Sequence, residues 1–281
     1  MFDSSLFNEY HLFQKFCGLY QKLSHEGPDI DDFLYCANSA ILRILAMRRY
    51  NFDCIREFRD REQCLTVINT SAINFFSSTL VHLLNEIPAF FSEMKKLQDR
   101  FLNIISIELK LKSCPPSSLH RAINRTLEKF NIPEEICSLI YNYWSETGKM
   151  VKDYRDIDQH WHQIVSKSWL QLKPERKIVV LLPDSKHQFT YKKGINAIEF
   201  METSFKSFHE MTENVSELLG YTENKKFPYG IRMGLPTYVI PGQEDRLLGL
   251  MAFDKGPYSG TEFFTLKNQN SLSVRIFPKT I

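Results

Sequence analysis

Ten consecutive residues hold a dense group of chemistry-bearing side chains: Asp153-Tyr154-Arg155-Asp156-Ile157-Asp158-Gln159-His160-Trp161-His162. An arginine, three carboxylates and two histidines lie among them. Imidazoles and carboxylates exchange protons, and a guanidinium offers bidentate contacts to phosphoryl oxygens, so these types suit acid–base chemistry on a phosphate ester. On a helix advancing about 100° per residue, Arg155 and His160 stand roughly 140° apart around the axis. Arg155 and His162 would stand about 20° apart but two turns along. One helix therefore does not aim Arg155 and His160 at a single phosphate without a distorted turn or a second copy of the chain. The same residues also read as two ordinary polar networks: Asp153, Asp156 and His160 on one helix side, Arg155, Asp158 and His162 on another. A metal site at Asp153, Asp156 and His160 is a third reading, and it lacks an obvious further ligand.

Arg155 followed directly by Asp156, with His160 after four intervening residues, resembles the R-x(4–6)-H motif of the HEPN superfamily, where Asn, Asp or His follows the arginine. The resemblance covers this motif and the helical character of residues 1–172, and does not extend beyond them. It implies an all-α bundle, often dimeric, and in many members a metal-independent ribonuclease of a toxin–antitoxin or phage-defence system. His160 would then take the 2′-hydroxyl proton of RNA, Asp156 would orient His160, and Arg155 would stabilise charge on the phosphoryl oxygens. A histidine of the second copy would protonate the leaving 5′-oxygen and leave a 2′,3′-cyclic phosphate. Arg155, Asp156, His160 and His162 are thus the candidate catalytic residues, with RNA and a second copy of the chain as expected partners. The competing reading is a non-catalytic cytoplasmic interaction or regulatory protein in which the Arg–Asp–His cluster is structural.

The elements that must position these residues follow from composition and periodicity. The chain has 281 residues, 43% hydrophobic and 24% charged, with 22 Phe, 11 Gly and 12 Pro. That excludes a disordered or collagen-like chain, because there is enough apolar surface to offset the entropy of ordering. The expected fold is α+β: an all-α helical bundle over residues 1–173, then a small sheet-containing α+β domain over 174–281. In the first part, Leu6, Tyr10, Phe13, Cys17 and Tyr20 repeat at helical spacing. A second helix should start near Asp31 or Asp32 and end near Arg49. Residues 58–112 read as helical, divided by Pro88, which lacks the donor an interior turn requires. Cys114-Pro115-Pro116 is a stop, Ser117 or Ser118 can cap a helix to about Phe130, and Pro133 opens another ending near Gly148. The last helix of this part is expected over residues 149–172, with Met150, Tyr154, Ile157, Trp161, Ile164 or Val165, Trp169 and Leu172 on its apolar side.

After Pro174, the run Ile178-Val179-Val180-Leu181-Leu182 reads as a strand covered on both faces. An amphipathic helix follows, from about Ile198 to Gly220. Four further short strands are expected over 237–240, 247–253, 262–266 and 271–277, making about five in this domain, which could also take a protein partner.

Charge excludes little more. The net is +2, with 20 Lys and Arg against 21 Asp and Glu in residues 1–172 and 15 against 12 beyond. The densest basic cluster, Arg43 to Arg61, is interleaved with Asp53, Glu57 and Asp60 and reads as a paired surface rather than an RNA site. No P-loop, G-x-G-x-x-G, G-x-S-x-G or H-E-x-x-H is present, and no cofactor is expected. His82, His187 and His209 are isolated, and Gly230 and Gly234 read as a loop. The six cysteines form no C-x-x-C pair and read as reduced, buried thiols. The start of the chain lacks a secretory pattern, and the uncharged stretch 63–85 carries many polar residues. A cytoplasmic protein without a membrane span is expected.

Overall fold

The computed structural model describes residues 29–62, 70–185 and 189–221. The expected first helix, His187, Cys17, Cys64, Gly230, Gly234 and the four strands beyond residue 236 lie outside the described residues. In order, the elements are α1 (Asp29–Glu62), β1 (Ala72–Ile73), α2 (Ser78–Glu108), α3 (Leu119–Asn124), α4 (Glu134–Tyr143), α5 (Lys149–His160), β2 (Lys167–Gln171), β3 (Lys177–Leu181) and α6 (Ala197–Leu218). A 3₁₀ turn, Leu127–Phe130, precedes α4, and a π-helical turn, Trp144–Gly148, joins α4 to α5. The fold is α+β: a helical bundle carrying a three-stranded antiparallel sheet in the order β1-β2-β3.

α1 and α2 run antiparallel and form the long hairpin of the bundle. Asp32 pairs with Arg100 at 3.0 Å, Arg43 with Glu86 at 2.9 Å, and Tyr50 stacks on His82 at 5.6 Å. α1 outruns its expected end at Arg49 by more than three turns. Cys54 and Phe58 continue its buried stripe, while Asp53 pairs with Arg49 and Arg56 at helical spacing. Ser77 caps α2 by accepting the Leu80 N–H at 3.1 Å. Pro88 lies inside α2 and does not divide it. An interior proline costs about 3 kcal/mol. Leu83, Ile87, Phe90, Phe91 and Met94, all fully buried around it, contribute about 1.5–3 kcal/mol each and hold the helix through that point.

Two further expectations are corrected. The helix expected over 58–112 is not one element: residues 58–62 end α1, and Ala72–Ile73 is a strand paired with Gln171 and Leu170. Residues 149–172 likewise form a helix only to His160. The chain then turns, with the Trp161 N–H bonded to the Ile157 carbonyl at 2.9 Å, and Lys167–Gln171 pairs with Lys177–Leu181. Val165, Trp169 and the buried Ile164 and Leu170 suit a pleated, half-covered surface better than a helix face. Trp169 and Leu172 therefore do not lie on α5.

The expected strand near 177–183 and helix near 198–220 are both present as β3 and α6. β3 is covered by α1, whose Asn51 accepts the Ile178 N–H at 3.0 Å and so occupies part of the outer sheet edge. One apolar core runs from Phe33 to Val215, and α6 is set into the bundle through two aromatic groups. Phe208 meets Phe33, Phe101 and Tyr143 with ring centres 5.5–6.2 Å apart. Phe200 meets Phe91 and Tyr154 at 6.0 and 5.5 Å.

Gly148 is not a helix terminus. Its backbone is right-handed helical and the helix continues into α5. A Cβ there would stand 2.7 Å from the Tyr143 ring, so only glycine lets that ring lie against the π turn. Gly148→Ala is expected to cost about 1–3 kcal/mol, from overpacking. Phe208→Ala is expected to cost about 3–5 kcal/mol, because it empties the meeting point of three other rings. Urea denaturation followed by circular dichroism measures both.

Candidate functional site

α5 carries the segment that bears the candidate residues. Val151, Tyr154 and Ile157 are buried at its three-and-four spacing, and Tyr154 lies between Phe91 and Phe200. With that stripe turned inward, Lys152, Asp153, Asp156 and His160 share the opposite side, and Arg155 flanks it. Asp156 is the hub. Its Oδ2 accepts Lys152 Nζ at 2.8 Å and its Oδ1 accepts Arg155 Nη1 at 3.0 Å. Lys152 also reaches Asp153 at 3.2 Å. Burial alone would raise the Asp156 carboxyl, but the hydrogen bonds from Lys152 and Arg155 outweigh it and hold it below the usual carboxylate value. Lys152 is 13% exposed, and its two carboxylates overcome its burial and raise its ammonium pKa.

Arg155 and Asp156 are therefore brought together, and the two histidines are not brought to them. His160 is exposed at the end of α5, and both oxygens of Asp156 are engaged elsewhere. His162 lies beyond the helix, so the expected two-turn alignment with Arg155 does not exist. Its ring stands edge-on to Phe189, with centres 4.8 Å apart. Asp158 does not join Arg155 and His162 in a network: burial raises its carboxyl against the opposing pull of the Ile164 backbone N–H. Among the described residues, no group of three or more His, Cys, Asp or Glu is placed to hold a metal ion.

Sequence reading missed His120, which structure brings to this corner. The Lys95–Asp99 pair anchors the start of α3, since Asp99 accepts the Leu119 N–H at 2.9 Å and Lys95 reaches Ser118 at 3.4 Å. His120 then stacks on Trp144 at 5.8 Å and stands close enough to Lys152 to feel its charge. Burial first, then Lys152 and Lys95, lower its pKa against the pull of Asp156 and Asp153. Nothing local in the sequence links residue 120 to residue 152. The Lys152–Asp156 pair was legible, as a lysine and an acid four apart on a helix.

The buried cysteines Cys36, Cys54 and Cys137 carry thiols that burial pushes up to about 11, 12 and 11, which makes them poor nucleophiles. Cys114 is exposed. Among the described residues, no helix is long and apolar enough to cross a membrane. No protein-family model matches this chain, and no curated protein or solved structure matches it either.

Because the folded Asp156 carboxyl is lowered, its contribution to stability is present above its unfolded value, about 3.9, and is lost as pH falls through the folded value. Asp156→Asn is expected to lower stability by about 1–2 kcal/mol at pH 7. Thermal denaturation across pH should show the gap between variant and wild type closing below the ordinary carboxylate range.

Proposed function

We propose that this chain is a non-catalytic interaction protein in which Lys152, Arg155 and Asp156 form a structural clasp on α5. The observation that supports this reading is the occupancy of Asp156: one oxygen is taken by Lys152 and the other by Arg155, at 2.8 and 3.0 Å. Asp156, held by these two cations, makes no hydrogen bond to His160, and an arginine paired to it gives part of its donor set to the fold. The clasp ties the outer face of α5 together where the helix ends and the chain turns into the sheet.

A second reading, a metal-independent endoribonuclease resembling HEPN proteins and working as a homodimer, draws on a different observation. His160 is exposed, and Arg155 keeps 32% of its side chain accessible on the same helix. Two copies facing each other across α5 could gather these groups around one phosphate, with His160 as general base and Arg155 as the charge stabiliser.

One assay separates the two. Full-length protein is incubated with single-stranded RNA in excess chelator, and products are resolved by end-group analysis. The interaction reading expects intact RNA. Cleavage to 2′,3′-cyclic phosphate ends that disappears in both Arg155→Ala and His160→Ala, with folding retained, overturns it and establishes the second.

A further inference from the structure

α1 carries large apolar side chains on two sides. One side, with Phe33, Ala40, Ile44 and Met47, is buried in the bundle. At about 100° per residue, Tyr35, Leu42 and Phe52 fall within an arc of roughly 100° on the opposite side, along about five turns. Tyr35 is 71% exposed, Leu42 37% and Phe52 57%. One such residue on a helix surface is ordinary. Three in a line, on the side where an amphipathic helix carries its polar residues, mark a face that something covers.

The chain supplies a matching stripe just before α1. Leu6, Tyr10, Phe13, Cys17 and Tyr20 precede Gly27 by 21, 17, 14, 10 and 7 residues. The same steps counted forward from Pro28 arrive at Arg49, Leu45, Leu42, Asn38 and Tyr35. Two helices that reverse at Gly27-Pro28 rise equally per residue, so equal steps bring these positions level. Tyr20 then comes beside Tyr35, Phe13 beside Leu42, and Tyr10 beside the half-buried Leu45. Leu6 comes beside Arg49, whose methylene stem extends the apolar line. Phe52 follows Pro28 by 24 residues and Phe2 precedes Gly27 by 25, so these two meet at the far end.

We infer that the outer face of α1 is a docking surface for the chain's own residues 2–20, which lie along it as an antiparallel helix. Tyr35, Leu42 and Phe52 are the contacts that hold the segment, and the mirrored spacing about Gly27-Pro28 sets its register. Occupied in this way, the face is withheld from other proteins and from a second copy of the chain. The inference is independent of both readings of α5, since it uses no residue of the clasp.

Two measurements on the full chain test it. Leu6→Cys/Arg49→Cys sets a thiol pair far from Gly27-Pro28, where chain connection alone does not keep the two together. A short bismaleimide should join them within one molecule, as identified by peptide mapping. Leu6→Cys/Lys129→Cys, with its second thiol in the 3₁₀ turn, should stay unjoined. Trypsin should cut after Lys15 about tenfold faster in Leu42→Asp and in Phe13→Asp than in the parent chain, because cleavage follows the population of the undocked form. The two substitutions together should add little to either alone, and thermal melts confirm that each variant folds. No link between positions 6 and 49, or tryptic cleavage indifferent to Leu42→Asp, overturns the inference. A link that forms only between two molecules also overturns it and gives the face to a second copy of the chain.

Discussion

Three rings set the orientation of everything on α5. Phe91 of α2, Tyr154 of α5 and Phe200 of α6 meet with centres 5.3, 5.5 and 6.0 Å apart, and Tyr154 is 3% exposed. Contacts of this kind contribute about 0.5–1.5 kcal/mol beyond the area they bury. Their larger consequence is angular. Once Tyr154 points inward, the helical repeat leaves Lys152 and Asp156 no choice but the outer side, close enough to pair, and sends His160 to the exposed end. The clasp is a product of aromatic packing on the other side of the helix.

The same packing is supported by a polar contact inside the bundle. Gln98 is fully buried on α2, and its Nε2 donates to the Tyr143 hydroxyl at 2.7 Å and to the Gly148 carbonyl at 3.1 Å. Its Nε2 thereby bridges both ends of the π turn, while its Oε1 is buried without a partner among the described residues. Burial and the bond to Gln98 compete over the Tyr143 hydroxyl, and burial prevails, keeping it protonated. The π turn sets the rotation of α5 relative to α4, and Gly148 allows the close approach of the Tyr143 ring. A side chain on one helix thus fixes the register of the next, fifty residues away.

Which features could be read from sequence follows from how local their causes are. The amphipathic α6, the β-branched run of β3, the Pro115–Pro116 stop and the ion pairing of the α1 arginines all depend on neighbours within a turn or a strand. They are present where periodicity placed them. Helix ends were less legible. Pro88 and Gly148 are local helix breakers by type, yet both sit inside continuous helices, because tertiary burial around each exceeds its intrinsic penalty. Residues 161–172 failed for the opposite reason. Trp161, Ile164, Val165 and Trp169 fit a helical stripe on paper, but the helix ends at His160 and pairing with β3 claims the backbone of Lys167–Gln171 instead. Within the candidate site, Arg155–Asp156 was adjacent in sequence and is adjacent in space. The His120 corner and the Phe189–Tyr191 contacts join segments 25 or more residues apart and had no local signature.

Charge illustrates the same distinction. The arginine-rich stretch of α1 is the most basic run by composition, and its neutral character comes from acids three or four residues away or across the hairpin. Lys167, Lys192 and Lys193 are sparse by composition, and among the described residues none of them is in an ion pair. Asp184, bonded to the Thr190 hydroxyl and to the Lys192 and Lys193 N–H groups, stays ionised and lends its negative charge to the same loop. Density of basic residues in the sequence is thus a poor guide to the local charge of this fold. The better guide is the distance from each cation to each carboxylate, and that is set only once the fold has brought distant segments together.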